Sequence, residues 1–129
     1  MSNDCVLELQ KIVFDKFNFK RVGFKNNNEE EVSFNISIGE NKNDNLYKVS
    51  LATQIEKEDE YTLNIKLSGF FTFNGDDDKK ELFLKQNAVA ILMPYLRSQI
   101  SLLTCQPNME PVVLPPINIV SMLEEEDKE

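Results

Sequence analysis

The stretch N-A-V-A-I-L-M-P-Y-L-R-S-Q-I-S-L-L-T, residues Asn87–Thr104, is the longest helical pattern in the chain and decides its fold. One stripe at three- and four-residue spacing consists of Ala88, Ile91, Leu92, Tyr95, Leu96, Gln99 and Leu102/Leu103. A second apolar stripe consists of Val89, Met93 and Ile100. A helix that is apolar on two sides must be buried on two sides. We therefore expect one side to lie on a sheet of the same chain. We expect the other to contact a second molecule through an oligomer interface of Val89, Met93, Leu96 and Ile100.

The polar residues of this run argue against a membrane-spanning helix. At about 18 residues the run is long enough to cross a bilayer, but it contains Arg97 and several uncharged polar side chains. A buried helix is the preferred interpretation. Asn87 fits an N-cap. Pro94, in the middle of the pattern, removes one backbone donor and therefore predicts a kink or a late helix start.

Size and composition restrict the class of protein. The chain has 129 residues, the size of a single domain spanning 1–129, and is 41% hydrophobic. Its formal net charge of −8, without a basic stripe, disfavours nucleic-acid binding. Cys5 and Cys105 are far apart and form no CxxC motif, so we predict free thiols in a reducing compartment. The N-terminus has no signal-peptide pattern, which predicts a cytoplasmic protein.

Four β-strands are predicted before the long helix. The first, Leu7–Phe24, loses its alternation at Ile12–Phe14, which indicates a bulge or a bend. Three further runs alternate apolar and polar residues, at Val32–Ile38, Tyr47–Ile55 and Tyr61–Leu67. The turns between these three runs are short, so we expect them to be antiparallel neighbours.

The segment S-G-F-F-T-F, Ser68–Phe73, interrupts this regularity. Gly69 is expected to form a bulge. If the strand continues, Phe70 must point away from Phe71 and Phe73. Aromatic side chains on both faces of a sheet are more than a one-sided core requires.

Three further segments complete the pattern. Asp78 and Glu81 fit a capping box for a short helix, Lys79–Gln86. Gln106–Pro116 contains four prolines and cannot be a regular helix or a central strand. Asn118–Glu126 predicts a last, short, acidic helix. The fold class is therefore α+β, with a four-stranded antiparallel sheet, one long helix packed on it and short helices.

The sequence contains no catalytic motif. A Walker loop, a GxGxxG motif and a nucleophile elbow are all absent. The chain has no histidine, which excludes the usual hydrolytic triad and removes the commonest zinc ligand. Asp76–Asp78 could ligate Mg²⁺ or Ca²⁺ but lacks the spacing of a cation loop, so a solvated turn is the preferred interpretation. We expect neither enzymatic activity nor a cofactor or metal.

Apolar residues exceed what one core needs. Phe70, the Met109–Leu114 segment and the last helix all offer apolar side chains. The ordinary interpretation, which composition alone favours, is a core plus an oligomer interface. The alternative is that part of this surface stays open as a binding groove.

Asn87–Thr104, followed by P-V-V-L-P-P-I-N-I at residues 111–119, resembles the SecB protein-export chaperone family. The residues that match the family pattern are Asn87, Ile91, Leu92, Pro94, Tyr95, Arg97, Pro116 and Asn118. L-E-L-Q-K-I at 7–12 resembles the first strand of the family, and S-G-F-F-T-F at 68–73 resembles the end of its fourth strand.

The resemblance implies a SecB-like fold and assembly as a dimer or as a homo-tetramer, a dimer of dimers. Family members bind unfolded preproteins or other non-native polypeptides in long apolar grooves, without ATP, nucleic acid or stable membrane insertion. We accordingly predict polypeptide-binding residues at Phe70, Phe73, Met109, Val113, Leu114, Ile119 and Met122. We predict plain core positions at Phe34, Leu51, Leu63 and Leu92.

Two departures from the family pattern concern the export role. In the export chaperones, acidic residues on the sheet dock the motor SecA. The matching positions here are Lys16, Lys20, Thr62 and Asn64, so charge is lost or reversed and docking should weaken. The family's tail also reaches further than Glu129. The alternative function is therefore a dedicated chaperone or interaction protein for a single partner such as an antitoxin, without SecA docking.

Overall fold

The computed structural model describes residues 6–41, 45–75 and 80–114. This part of the chain forms four strands and a helix, with the bounds β1 Val6–Arg21, β2 Glu30–Asn41, β3 Leu46–Lys57, β4 Tyr61–Asn74 and α1 Lys80–Thr104. The strands make an antiparallel sheet in the order β1-β4-β3-β2. The helix packs on one face of that sheet. The predicted α+β class is confirmed, and the three alternating runs are neighbours as expected.

Alternation along the strands divides the sheet into two faces. The inner face, against α1, carries the odd-numbered residues of β3 and β4, nearly all of which are buried. They meet the buried side of the helix, which consists of Leu84, Ala88, Val89, Leu92, Met93, Leu96 and Ile100. The predicted core positions Leu51, Leu63 and Leu92 are fully buried here, and Phe34 packs against the same core half-buried. The even-numbered residues of β3 and β4 project from the outer face.

Strand β1 changes phase twice along its length. Its register against β4 shifts at Gln10 and again at Asp15, each of which is one residue too many for the ladder. The bulge predicted from the sequence is thereby confirmed. The residues paired with inner-face positions of β4 switch from odd to even numbers and back: Leu7, Leu9, Ile12, Phe14, Phe17 and Phe19.

Gly69 does not form a bulge. Strand β4 is continuous there, and Gly69 pairs in regular register with Ile12 on one side and Val49 on the other. A Cβ at this position would lie 2.8 Å from Leu92 Cδ2 and 2.7 Å from Phe71 Cε2. The prediction of a bulge was wrong because the missing side chain makes room for the helix and does not bend the strand.

The helix α1 is longer than either helix predicted from the sequence. It begins at Lys80 and ends at Thr104, so the predicted short helix Lys79–Gln86 and the helix expected to begin at Asn87 are one element. Asn87 is therefore not an N-cap, and its Nδ2 donates to the Phe83 carbonyl at 2.9 Å inside the helix. Pro94 also lies inside it, so the late start was wrong. The segment before Asn87 is rich in good helix formers, which lets the helix begin earlier. Asp78 of the predicted capping box lies outside the described residues, as does the predicted last helix, Asn118–Glu126.

Residues 22–29 connect β1 and β2, which lie at opposite edges of the sheet. The connection crosses the end of the sheet at the β3–β4 turn, and Glu60 holds it there. The Glu60 carbonyl accepts the Val22 and Gly23 N–H groups at 2.8 and 3.1 Å. Its carboxylate accepts the Asn26 N–H at 3.0 Å and pairs with Lys57 Nζ at 3.0 Å. This ion pair is almost entirely removed from solvent.

Hydrogen bonding overcomes the cost of burying Glu60. Burial alone would raise the pKa of its carboxyl, but the hydrogen bonds from Lys57 and the Asn26 amide outweigh it. The charges of Lys57 and Arg21 act in the same direction, so the pKa of Glu60 lies below its usual value. A lowered pKa means that the ionised carboxylate stabilises the fold at neutral pH. This contribution is lost as the pH falls through the lowered value.

We predict that Gly69→Ala destabilises the protein by about 1–3 kcal/mol, because the added methyl overlaps two buried side chains in a close-packed region. The measurement is the free energy of unfolding in urea. Gly39→Ala is the matched control, since a Cβ there meets only Lys48 Cβ, at 4.0 Å. Equal effects of the two substitutions would contradict the close-approach role of Gly69.

We predict that Glu60→Gln costs about 3 kcal/mol at pH 7, because it leaves the buried Lys57 ammonium without its carboxylate. The difference from the wild type should shrink as the pH falls through the lowered pKa of the Glu60 carboxyl, because the wild type then loses the same charge. Urea unfolding at pH 7 and at a series of acidic pH values measures this. Glu58→Gln is the control. Glu58 lies in the same turn with its side chain exposed, and the hydrogen bonds that it accepts from Asn26 and Asn28 go to its backbone carbonyl, which the substitution keeps. A pH-independent cost would exclude the ion pair as its source.

Candidate polypeptide-binding surface

Residues 105–114 run back along α1 after it ends, and three helix side chains hold them in place. Arg97 Nη2 donates to the Leu114 carbonyl at 2.8 Å, and Ser101 Oγ donates to the Val112 carbonyl at 2.9 Å. Thr104 Oγ1 accepts the Val112 N–H at 2.8 Å. The spacing of four and three residues places these side chains on one stripe of the helix. This polar stripe was visible in the sequence, but its role was not predicted.

The start of the same segment is fixed to the end of β1. The Arg21 guanidinium donates to the carbonyls of Pro107, at 3.3 Å, and Asn108. Lys25 Nζ lies 3.2 Å from the Glu110 carboxylate. Asn108 has a φ of 58°, a left-handed conformation that asparagine tolerates better than most residues. The segment is therefore held between the helix on one side and β1 on the other.

The held segment buries some apolar side chains and exposes others. Met109, Val112 and Leu114 are at most 7% exposed and join the core. Val113 lies between two buried neighbours and is 74% exposed. Of the three polypeptide-binding residues predicted in this segment, Val113 is thus at the surface, whereas Met109 and Leu114 are covered by their own chain.

The two predicted aromatic contacts lie on opposite faces of the sheet. Phe73 is 3% exposed on the inner face and packs edge-on against Tyr47, with 6.3 Å between the ring centroids. Phe70 is half-buried on the outer face. The remaining two predicted contacts, Ile119 and Met122, lie outside the described residues. The structure does not bring the described members of the predicted site onto one surface.

The four residues predicted as an oligomer interface lie on the inner side of α1. Val89, Leu96 and Ile100 are fully buried, and Met93 is 5% exposed. In this arrangement they contact their own chain and are not accessible to a second one. Both stripes of the sequence pattern contribute to the side against the sheet, which the pattern alone could not show.

Other apolar side chains remain open to solvent. On the helix, Tyr95 and Leu102 are 48% and 64% exposed, and their seven-residue spacing places them on one stripe. Beside the attachment of residues 105–114 to β1, Val22 and Phe24 are 55% and 81% exposed. Val113 lies in the held segment itself. Leu102 precedes it at the end of α1, and Val22 and Phe24 are chain neighbours of Arg21 and Lys25, which bind it.

An acidic cavity opens at the end of the sheet crossed by residues 22–29. It has a volume of about 510 Å³, and its acidic lining residues are Glu29, Glu31, Glu56, Glu58 and Asp59. Tyr61 also contributes to its wall, and burial, with the charges of Glu30 and Glu60, raises the pKa of that phenol above its usual value. Within the described residues no group of three or more Asp, Glu, Cys or His is placed to hold a metal ion.

Two further sequence predictions concern the cysteine thiols and the acidic run Asp76–Asp78. Cys105 is a free, exposed thiol in the structure, whereas Cys5 and the acidic run Asp76–Asp78 fall outside the described residues. Among the helices of the described part of the chain, none is long and apolar enough to cross a membrane.

Comparison with known proteins identifies the family. The family described as "Preprotein translocase subunit SecB" matches residues 8–129. The chain belongs to the SecB family. A relative of this SecB-family chain is the uncharacterized protein MJ0357 of Methanocaldococcus jannaschii. The two are 33% identical over 106 residues, which cover 74% of this chain and 68% of that protein. The family resemblance drawn from residues 87–119 is confirmed.

Solved structures share the fold of this SecB-family chain. The Rv1957 SecB-like chaperone of Mycobacterium tuberculosis, in complex with a ChAD peptide from the Rv1956 HigA1 antitoxin, superposes with a TM-score of 0.74. The match has 12% identity and covers 87% of this chain and 91% of that chain. A protein of unknown function from Streptococcus agalactiae has a TM-score of 0.50 and 12% identity, over 88% of this chain and 99% of that chain. At such identities the likeness shows a common fold.

The positions assigned to SecA docking lie together on the outer face of this SecB-family sheet. Thr62 and Asn64 are even-numbered residues of β4, and Lys20 stands directly opposite Thr62 on β1. Lys16 lies opposite Lys66, one row beyond Asn64 on the same face. The structure therefore places all four on the face that points away from α1 and from residues 105–114.

We predict that Thr104→Val loosens residues 105–114, because it removes the acceptor of the buried Val112 N–H. The expected cost is about 1–3 kcal/mol, the penalty for an unsatisfied buried donor. Hydrogen exchange of the Val112 amide should accelerate in this variant. Thr104→Ser keeps the hydroxyl and serves as the control. Unchanged exchange in Thr104→Val would show that the hydroxyl does not hold the segment.

Proposed function

We propose that this chain is an ATP-independent holdase that binds unfolded or non-native polypeptide segments beside residues 105–114. The observation that carries the proposal is the exposed Val113 on a segment fixed by hydrogen bonds to α1 and β1. Large exposed apolar side chains near that segment, such as Phe24, enlarge the surface a client could cover. Contiguous exposed apolar surface is typical of sites that bind other chains.

The chemistry of such a surface suits clients of varied sequence. Apolar contacts are non-directional, so they discriminate little between one client side chain and another. Burying one aliphatic or aromatic side chain contributes about 1.5–3 kcal/mol. Part of that gain is offset by the ordering of the client on binding. A few contacts of this size give weak, exchangeable binding, which is what a holdase requires.

The buried members of the predicted site enter this proposal through movement of the segment. Met109 and Leu114 become accessible to a client if residues 109–114 lift from the helix, which breaks three side-chain hydrogen bonds. Ile119 and Met122 extend the proposed site along the chain. Phe70 and Phe73 are the remaining proposed client contacts; Phe70 lies on the outer face, away from the segment, and Phe73 is buried on the inner face.

Membership of the SecB family supports a polypeptide ligand. The Rv1957 SecB-like chaperone, which shares this fold, was solved with a peptide of an antitoxin. We extend that kind of ligand to this chain as part of the proposal and place its action in the cytoplasm. We further propose a homo-tetramer, a dimer of dimers, or a dimer. The edge strand β1 and the exposed Tyr95–Leu102 stripe of α1 are two of the surfaces at which copies could meet.

The second candidate is a dedicated chaperone for a single partner such as an antitoxin, without SecA docking or a role in protein export. The observation that favours it is the outer face, where Lys16 and Lys20 occupy positions that are acidic in the export chaperones. A basic partner surface would meet repulsion at these positions.

We predict that the wild type suppresses the aggregation of several unrelated denatured proteins without ATP, as followed by light scattering. Val113→Asp should require about fivefold more protein for the same suppression, because a charge replaces one apolar contact. Leu82→Asp is the matched control, since Leu82 is 53% exposed at the other end of α1. Equal suppression by both variants would place the client surface elsewhere.

The range of clients separates the two candidates. Suppression of many unrelated clients supports the holdase. Failure with every denatured client, combined with a stoichiometric complex with one antitoxin segment, would replace it by the dedicated chaperone.

A further inference from the structure

The outer face of the sheet collects lysines although the whole chain has a formal net charge of −8. Five exposed lysines of the described residues occupy outer-face positions in the strand register: Lys11, Lys16, Lys20, Lys48 and Lys66. None of them forms an ion pair with another described residue. In contrast, Lys25, Lys57, Lys80 and Lys85 each pair with a glutamate.

Two of these lysines stand directly opposite each other. Lys16 on β1 and Lys66 on β4 are cross-strand partners on the same face. Like charges directly opposite each other destabilise a sheet. Among the acidic groups of this face, Glu8 lies near one end and Glu31 and Glu56 near the other. Asp15 is next to Lys16, but its carboxylate accepts from Ser68 and forms no ion pair with a described lysine. The lysine pair therefore costs stability that an acidic partner would recover.

A second basic row surrounds Phe70. Lys11, Phe70, Lys48 and Gly39 lie side by side across the four strands. The ammonium groups of Lys11 and Lys48 are 4.8 and 5.8 Å from the centroid of the Phe70 ring. Next to the ring is a depression of about 300 Å³, lined by Gly39, Glu40, Leu46, Lys48 and Phe70. Gly39 has no side chain that could fill this depression, and Glu40 is the other residue of the edge strand in its lining.

One row of side chains separates the two basic rows and consists of Val13, Ser68, Ser50 and Ser37. In its middle, Ser50 and Ser68 are 6% and 0% exposed and hydrogen-bond to each other at 2.9 Å, so no bulky side chain projects there. Phe70 and Lys66 are four residues apart on β4, a distance of about 13 Å. About four residues of an extended peptide span that distance.

We propose that the outer face binds an extended acidic polypeptide segment that carries one apolar side chain. The apolar side chain enters the depression between Gly39, Leu46 and Phe70. Carboxylates on either side of it meet Lys11 and Lys48, and a further carboxylate meets the Lys16–Lys66 pair. This site shares Phe70 with the proposed client contacts, but its lysines lie on the other side of the sheet from residues 105–114.

A nucleic acid fits these observations less well than an acidic peptide. A phosphate backbone carries a charge at every nucleotide, which a chain of net charge −8 opposes beyond the basic rows, whereas a peptide can carry carboxylates only where they meet the lysines. Both arginines, Arg21 and Arg97, are engaged with residues 105–114 and not with this face. Phe70 is one ring flanked by lysines, whereas single strands are bound by several stacking platforms.

The test uses the full chain and a fluorescent peptide of alternating glutamate and serine with one central leucine, followed by anisotropy. Wild type should bind it with an affinity that falls as salt rises. Lys16→Glu combined with Lys66→Glu should weaken binding at least about tenfold. Lys25→Glu combined with Lys85→Glu changes the net charge equally at other places and should leave binding within about twofold. The peptide with glutamine for glutamate should bind at least tenfold more weakly.

A second pair of measurements tests the depression. Phe70→Ala should weaken binding of the leucine peptide and leave binding of the same peptide with serine for leucine unchanged. Equal weakening by the two double variants, or equal binding of the glutamine peptide, would overturn the proposal. A single-stranded oligonucleotide of equal length that binds more tightly than the peptide would also overturn it.

One further result would change the occupant. Peptide binding that appears only after removal of residues 124–129, E-E-E-D-K-E, would assign the face to the chain's own acidic end and not to a partner. The double lysine variant, Lys16→Glu with Lys66→Glu, should suppress aggregation like the wild type, because neither lysine belongs to the proposed client contacts. Failure of this proposal is therefore distinguishable from failure of the proposed holdase function.

Discussion

The contact between the Leu92 side chain and the backbone of Gly69 sets the distance between the helix and the sheet. A glycine in the middle of a strand weakens that strand by itself. Here the absence of a Cβ leaves room for Leu92 of the helix and for Phe71 to pack directly over the strand. Because protein interiors are packed to near-crystalline density, a small change in this distance is felt throughout the core. The position of α1 in turn decides where Arg97, Ser101 and Thr104 point. Those three side chains place residues 105–114.

The buried pair of Lys57 and Glu60 performs the corresponding task at the end of the sheet. Replacing a buried ion pair by apolar residues is often no less stable, so its value here is better sought in the geometry that it imposes. The pair fixes residues 22–29 over the β3–β4 turn. Next to that connection, Arg21 and Lys25 hold the other end of residues 105–114. An irregular, apolar segment is thereby held in one place without a strand or helix of its own.

The two faces of the sheet divide the chemistry of the molecule. The inner face is apolar and belongs to the core, while the outer face carries lysines around a half-buried phenylalanine. The period of two along a strand is what allows Phe70 to differ so completely from its neighbours Phe71 and Phe73. The outer face of this SecB-family sheet therefore offers a partner lysines, although the chain as a whole is acidic. The surface beside residues 105–114 is independent of that charge.

Periodicity and turn residues alone predict the four strands, the bulge in β1, the long helix and the α+β class, because these depend on local alternation. The family could also be derived from residues 87–119. The extent of α1, the role of Gly69 and the side of the helix that is buried could not. Val89, Met93 and Ile100 form an apolar stripe whether the helix buries them against its own sheet or against a second molecule. Which of the two occurs depends on how the neighbouring elements pack. The proposed site has the same limit. Because Met109, Val113 and Leu114 are all apolar, the sequence predicts the same binding role for each of them. The hydrogen bonds between this segment and α1 decide which of the three side chains face solvent.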